Sequence, residues 1–376
     1  MKLAVTILVS CIAALLALGM VMLYSSSMTQ AGARYLILQL VWCALGLGLC
    51  VTAASLDYRV LRKLAWPLFG LAVLLLGLVL IPHVGLKINN ARRWLGLGGM
   101  RLQPSEFAKL ALIILLARYA ERHQRQMANF RRGLMVPGLA IGVVLALIFK
   151  EPDVGTALLL ASVSSILLLI AGMPWKYFLP PVFVGIVGVG LFLWQDPMRS
   201  ERIYSWRHLE ETRLDKGLQA YQAMVGLGSG GVTGKGLGDG RQKLGFVPEH
   251  HTDFIFSIVG EELGLIATLS VVAAFVAVVG CGIYIAGRAG DAFGLLLGTG
   301  ITFLIGLQAF INIGVVTGAL PNKGLPLPFI SYGGSNLVML LASVGILLSI
   351  ARHAHDFETV PDTSDGTDGL AAARLT

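Results

Sequence analysis

Charge is what this 376-residue sequence has least of: Asp, Glu, Lys and Arg make up 13% of it, against 56% hydrophobic residues and a mean hydropathy of +0.76. Soluble chains carry roughly 25% charged residues to keep their surface wet, so a soluble globular domain is excluded. Cysteine is scarce as well. Cys11, Cys43, Cys50 and Cys281 all fall inside apolar runs, where thiols behave as small hydrophobes. Neither a disulfide framework nor a zinc spacing can be built from them. The net charge of +8 does not point to nucleic acid, because basic residues kept in the short loops of a membrane protein set its orientation.

What the sequence does have is apolar blocks long enough to cross a bilayer, which takes about 20 residues. They lie near 3–24, 35–54, 64–82, 104–120, 133–150, 153–173, 177–195, 253–286, 291–318 and 328–351. The reading is an all-α polytopic membrane protein with about ten transmembrane helices. The first block exceeds the apolar core of a signal peptide, about 7–15 residues, and is read as an uncleaved helix. Two long polar stretches interrupt the pattern, at 83–103 and 196–252. Residues 1–352 are expected to form a single transmembrane domain, and 353–376, mixing Asp, Thr, Gly and Ala, a disordered tail.

Arg59, Arg62 and Lys63 follow the second span, and Arg118, Arg122, Arg125, Arg131 and Arg132 follow the fourth. Placing both loops inside puts both termini in the cytoplasm. Two loops then break the rule on the outer side. The 83–103 loop carries Lys87, Arg92, Arg93 and Arg101, and the 196–252 loop carries eight basic residues, Arg202 among them. An anionic ligand outside is the natural use for them, since Arg pairs with phosphate oxygens; the alternative is that long loops translocate whatever their charge.

Three spans run from outside to inside and open on acidic residues: Glu106 in the fourth, Glu151 and Asp153 in the sixth, Asp253 in the eighth. Asp153 and Asp253 each have two readings, as caps that complement the helix dipole or as parts of an outer site. Lys109 sits at the wrong dipole end of its helix, one turn after Glu106, and an intramembrane ion pair is a functional-site hypothesis by default. Glu261 and Glu262, deeper in the eighth span, pair with a cation or line a wet cavity, and nothing local decides which.

The glycine run 226–240 resembles nucleotide-binding loops but fails both tests. No strand–helix unit surrounds it, and Ser229 and Gly236 stand where a P-loop needs Gly and Ser or Thr. Its glycines are expected to let the backbone approach a ligand or a neighbouring helix. His250 and His251, adjacent to each other, are poorly spaced for zinc; a divalent ion shared by a carboxylate and a pyrophosphate fits better. The loop from Pro321 to Ser335 has three prolines and three glycines, so it cannot be a regular helix and is expected to pack over the same outer site.

Gly324-Leu-Pro-Leu-Pro-Phe-Ile-Ser-Tyr-Gly-Gly-Ser335 resembles the C-terminal signature of the FtsW/RodA/SpoVE family, also called shape, elongation, division and sporulation proteins. Pro248-Glu-His-His-Thr-Asp-Phe-Ile-Phe256 with Glu261-Glu-Leu-Gly264, Gln103-Pro-Ser-Glu-Phe-Ala-Lys109 and Pro152-Asp-Val-Gly-Thr156 are similar to further motifs of that family. The likeness covers about residues 5–352. The stretches 312–324 and 240–245 resemble the division and sporulation branch more than the elongation branch. Glu151 departs from the family's usual Gln, and Asn90 from its usual Gly.

The resemblance implies a peptidoglycan glycosyltransferase that polymerises lipid II on the outer face of the cytoplasmic membrane during division; inversion is expected because one displacement has no covalent intermediate. It implies Asp253 as the catalytic base. Glu106, Lys109 and Asp153 lie around the cavity, and Arg92, Arg93, Arg202, Lys323 and Ser331 complete the candidate substrate-binding set. It further implies a divalent cation, Mg2+ or Mn2+, whose ligands the sequence does not identify, Asp253 with the substrate pyrophosphate being the candidate, and a class B penicillin-binding transpeptidase of the FtsI kind among other division proteins. A lipid II flippase and a non-catalytic division scaffold are the rival readings. A transporter is expected to place charge near the bilayer midplane on broken helices, whereas here ionisable residues crowd the outer helix ends.

Overall fold

The computed structural model describes residues 1–27, 32, 34–88, 91–97, 100–195, 201, 204–215, 217–244, 252–322 and 324–358. Its long elements are helices because a segment in lipid must pair its own backbone N–H and C=O groups. They are α1 (Lys2–Ser27), α2 (Arg34–Ser55), α3 (Val60–Leu80), α4 (Pro104–Arg122), α5 (Val136–Lys150), α6 (Val154–Ile170), α7 (Trp175–Gln195), α8 (Leu218–Ser229), α9 (Ile255–Gly287), α10 (Ala292–Val316) and α11 (Gly334–Glu358). Ten of them fall on the ten predicted spans. Among the described residues, seven are long and apolar enough to cross a membrane, and α6 is a shorter apolar helix.

α4 owes its place to packing. It is buried almost continuously from Pro104 to Ala117 and packs against α3, α6, α10 and α11. Its charges sit toward its two ends, Glu106 and Lys109 at one and Arg118, Glu121 and Arg122 at the other.

The structure differs from the sequence reading in several elements. The polar stretch 83–103 folds into an antiparallel sheet, β1 (Gly85–Ile88), β2 (Ala91–Leu97) and β3 (Met100–Leu102), ordered β1-β2-β3 with a bulge at Leu86/Lys87. The 196–252 stretch contains α8. The last helix begins at Gly334 rather than near 328, because Pro326 and Pro328 precede it and Phe329 takes a positive φ of 65°. It also continues six residues past Arg352, to Glu358; residues 359–376 of the expected tail lie outside the described residues.

α9, 33 residues long, breaks at Gly264 (φ 76°, ψ −169°), and the glycine run fills the break. Leu265 and Ile266 N–H donate to the Gly231 and Val232 carbonyls (3.0 and 3.3 Å), while Lys235 and Gly236 N–H donate to the Glu261 and Glu262 carbonyls (3.0 Å each). The approach is close enough that a Cβ on Gly234 would collide with the Glu262 carbonyl. Glu261 receives Lys235 Nζ (2.9 Å) and the Arg241 and Gln242 N–H groups. Glu262 receives Lys243 Nζ (2.7 Å), Ser25 Oγ and the Gly238 N–H. Both glutamates are therefore paired anchors of this loop.

Contacts sort the loops onto two opposite faces. On one, Arg62 bridges Glu121 (2.8 Å) and Asp291 (3.0 Å), Arg59 also meets Asp291, and Arg352 donates to the Ser55 carbonyl. On the other, the sheet, the starts of α4, α6 and α9, and the 321–333 loop come together.

Candidate active site

α4 opens with Pro104 at its first position, where no N–H is needed, and carries Glu106 and Lys109 one turn apart. Lys109 Nζ lies 2.8 Å from Glu106 Oε2 and donates to Gln308 Oε1 at 3.0 Å; Asn336 Nδ2 donates to the same Glu106 oxygen at 2.8 Å. Lys109 is 1% exposed and Glu106 4%. An ion pair so far from water holds only when its remaining hydrogen-bonding capacity is met, which Gln308 and Asn336 accomplish.

Gln308 links this pair to the 321–333 loop, donating from Nε2 to the Pro326 carbonyl at 2.9 Å. One turn further along α10, Asn312 Nδ2 donates to the carbonyls of Leu325 (2.7 Å) and Asp253 (2.8 Å). Ser331 Oγ donates to the Thr252 carbonyl (2.6 Å) and accepts from Leu327 N–H (2.8 Å). Gln39 on α2 donates to the Ser331 carbonyl and accepts from Gly333 N–H, each at 3.3 Å. Buried main-chain groups of an irregular loop need such partners, and amide side chains from neighbouring helices supply them.

Asp253 stands just before Phe254, the N-cap residue of α9, where no side chain caps the helix. Its main chain is fixed by Asn312, and its neighbour Thr252 by Ser331. The residue is half-buried, and its carboxylate faces the loop: a Cβ added to Gly324 would lie 2.9 Å from Asp253 Oδ2. The loop passes this carboxylate at a glycine.

Asp153 does cap its helix, accepting from Thr156 N–H (3.1 Å) and Thr156 Oγ1 (3.0 Å). It also faces Arg93 of β2, whose Nη1 is 3.8 Å from Asp153 Oδ2. Arg93 Nε and Nη2 donate to the Glu151 and Pro152 carbonyls at 2.8 and 2.6 Å. Gly155, two residues on, abuts Leu325, with a Cβ position 3.2 Å from Leu325 Cγ. The carboxyl of Glu151 is fully buried and neither oxygen has a hydrogen-bond partner. Burial first, and then Asp153, push its pKa from 4.5 up to about 8 against the pull of Arg93.

The candidate residues therefore group unevenly. Glu106, Lys109, Ser331 and Asp253 belong to one hydrogen-bonded system, and Arg93 and Asp153 adjoin it through Leu325. Ser331 spends its hydroxyl on main chain. Arg92 is half-buried on β2 opposite Lys87. Arg202 and Lys323 lie outside the described residues, as do Glu249, His250 and His251. Gln39, Gln308, Asn312 and Asn336 were missed; the signal available was uncharged amides inside apolar runs, two of them spaced i, i+4.

Among the described residues no three His, Cys, Asp or Glu side chains are grouped to hold a metal ion. A magnesium-type ion keeps several waters and is held through one or two carboxylates plus substrate phosphates. The half-buried carboxylate of Asp253 fits that demand; a complete protein cage is not offered.

Residues 5–356 match the FtsW/RodA/SpoVE family model, described as a cell cycle protein. The "Probable peptidoglycan glycosyltransferase FtsW" of Geobacter metallireducens is 40% identical over 344 residues, 90% of this chain and 92% of the relative. The stage V sporulation protein E of Bacillus subtilis is 38% identical over 353 residues, 90% and 94% of the two chains. Among solved structures, a chain from a peptidoglycan synthase complex that coordinates polymerization and crosslinking superposes with a TM-score of 0.78 at 30% identity, covering 93% of this chain and 97% of that one. The rod shape determining protein RodA of Thermus thermophilus gives 0.71 at 30% identity, covering 93% and 96%.

Proposed function

Since the chain belongs to the FtsW/RodA/SpoVE family, we infer that it is a peptidoglycan glycosyltransferase, a multi-pass membrane enzyme that polymerises lipid II. The observation that carries the chemical part is the setting of Asp253. A half-buried carboxylate heads α9, its backbone pinned by Asn312, beside a loop that passes it at Gly324.

In the proposed reaction a sugar hydroxyl of the acceptor attacks the anomeric carbon of the donor. The new carbon–oxygen bond forms as the bond to the pyrophosphate oxygen breaks; the hydroxyl proton passes to Asp253, and the lipid pyrophosphate leaves. One displacement without a covalent intermediate inverts the anomeric centre. A carboxylate base in hydrogen-bond reach contributes about 10²–10⁴-fold. Lys109, buried and engaged by Glu106 and Gln308, acts through Gln308 on the loop. Arg93 is engaged by the turn at residues 151–153, so Arg92 is the described candidate for the pyrophosphate, with Arg202 and Lys323 the candidates outside the described residues. A divalent cation, Mg2+ or Mn2+, would be held by Asp253 together with pyrophosphate oxygens, and when bound it neutralises charge on the leaving group.

The face bearing Asp253 is assigned to the outside, because the opposite face carries the short basic loops. Grooves between helices hold the isoprenoid while the sugars react above the bilayer. A class B penicillin-binding transpeptidase is the proposed partner, in line with the related synthase complex that couples polymerization to crosslinking, and the division septum the proposed location. The test is polymer synthesis from lipid II by the purified protein with its transpeptidase and Mg2+. Glycan strands are expected; none from a confirmed complex would turn the reading toward transport.

A further inference from the structure

Among the described residues, every other buried acid of the outer half of the molecule has partners. Glu106 has Lys109 and Asn336, Asp153 has Thr156, Glu261 has Lys235, and Glu262 has Lys243. Glu151 alone among them has none, although it is fully buried in the turn between α5 and α6. A carboxylate without donors at such a place carries a large desolvation penalty, whereas the protonated acid does not. The charged groups acting on it are Asp153, on its own turn, and Arg93, from β2; Lys150, its neighbour in sequence, is exposed.

Arg93 already grips this turn through the Glu151 and Pro152 carbonyls, at 2.8 and 2.6 Å. Its reach to Asp153 is longer, at 3.8 Å, and is the contact that gives way first if another anion competes. Asp153 caps α6, and α6 packs by Gly155 on Leu325. Leu325 follows Gly324, the residue beside the Asp253 carboxylate. A change at Arg93 and Asp153 therefore reaches the reacting centre through two packed contacts.

We propose that Glu151 is a positioning residue: as a neutral acid it leaves Arg93 on Asp153, and on losing its proton it draws Arg93 off Asp153 and slows polymerisation. The inference rests on the glycosyltransferase reading and deepens it. The upward displacement of its pKa to about 8 places the transition a little above neutral pH. No contact of Glu151 requires a charge, so Gln, with the same shape and no proton to lose, substitutes for the resting form.

The experiment compares the full-length protein and Glu151→Gln, each in complex with the transpeptidase, by two readouts. The first is kcat/KM for lipid II polymerisation against pH. Wild type is expected to fall by about half where Glu151 is half ionised, and further above it, while Glu151→Gln keeps its plateau through that range. The second is the infrared band of a protonated carboxyl, which should be present at neutral pH in wild type, vanish as pH rises past 8, and be missing in the variant. Superimposable pH profiles would overturn the proposal, as would a variant that is inactive though folded, or the lack of a band removed by the substitution. An inactive wild-type complex that still shows the titrating band would sink the glycosyltransferase reading and leave the protonation of Glu151 standing.

Discussion

Lys109 and Glu106 show what a buried charge requires. Each is nearly inaccessible, and each is held by the other and by one amide, Gln308 or Asn336. Removing one partner strands the other, and such losses run to about 3–5 kcal/mol, whereas removing both together is often close to neutral. Lys109→Met should therefore lower stability by that order in detergent unfolding, and Lys109→Met with Glu106→Gln should recover most of it. Equal losses in the single and double variants would mean that the pair does not compensate itself. Glu106, Lys109, Asp153 and Asp253 of the candidate site were legible in the sequence, because a charge at the start of an apolar span stands out. Gln39, Gln308, Asn312 and Asn336 were not. They carry no charge, and Gln39, Gln308 and Asn312 bond main-chain groups that only the fold brings near.

At the scale of elements, α9 is the informative case. Its apolar run reads as one long span, and it is in fact two helical pieces separated at Gly264. A glycine in an apolar helix is common, so the break left no mark in hydropathy. What fills it is the glycine run some thirty residues earlier, whose close approach to a helix was expected and whose role in completing broken backbone pairing was not. Gly234 has φ +83° as well as too little room for a Cβ. Gly234→Ala should cost about 1–3 kcal/mol from backbone strain alone, seen as faster hydrogen exchange at residues 261–266. Gly228→Ala, with open space around it, should leave exchange unchanged; equal effects at both positions would contradict the stitched-loop description. The three-stranded sheet was also illegible, since strands of three to seven residues studded with Arg and Lys look like a polar loop.

For the whole molecule, block lengths alone locate ten helices, seven of them long and apolar enough to cross a membrane among the described residues, and ion pairs and hydrogen bonds tie their ends. One face is held by Arg59, Arg62, Glu121 and Asp291, the opposite face by the network from Lys109 to Asp253. The second network converges on the half-buried carboxylate of Asp253, which in the proposed reaction takes the proton from the attacking hydroxyl. The most direct measurement is lipid II polymerisation by the transpeptidase complex carrying Asp253→Asn, with complex formation and thermal stability checked against wild type. A stable, correctly assembled variant whose rate falls by about 10²–10⁴-fold or more is the expected result. Polymer made at the wild-type rate by that variant would contradict Asp253 as the base.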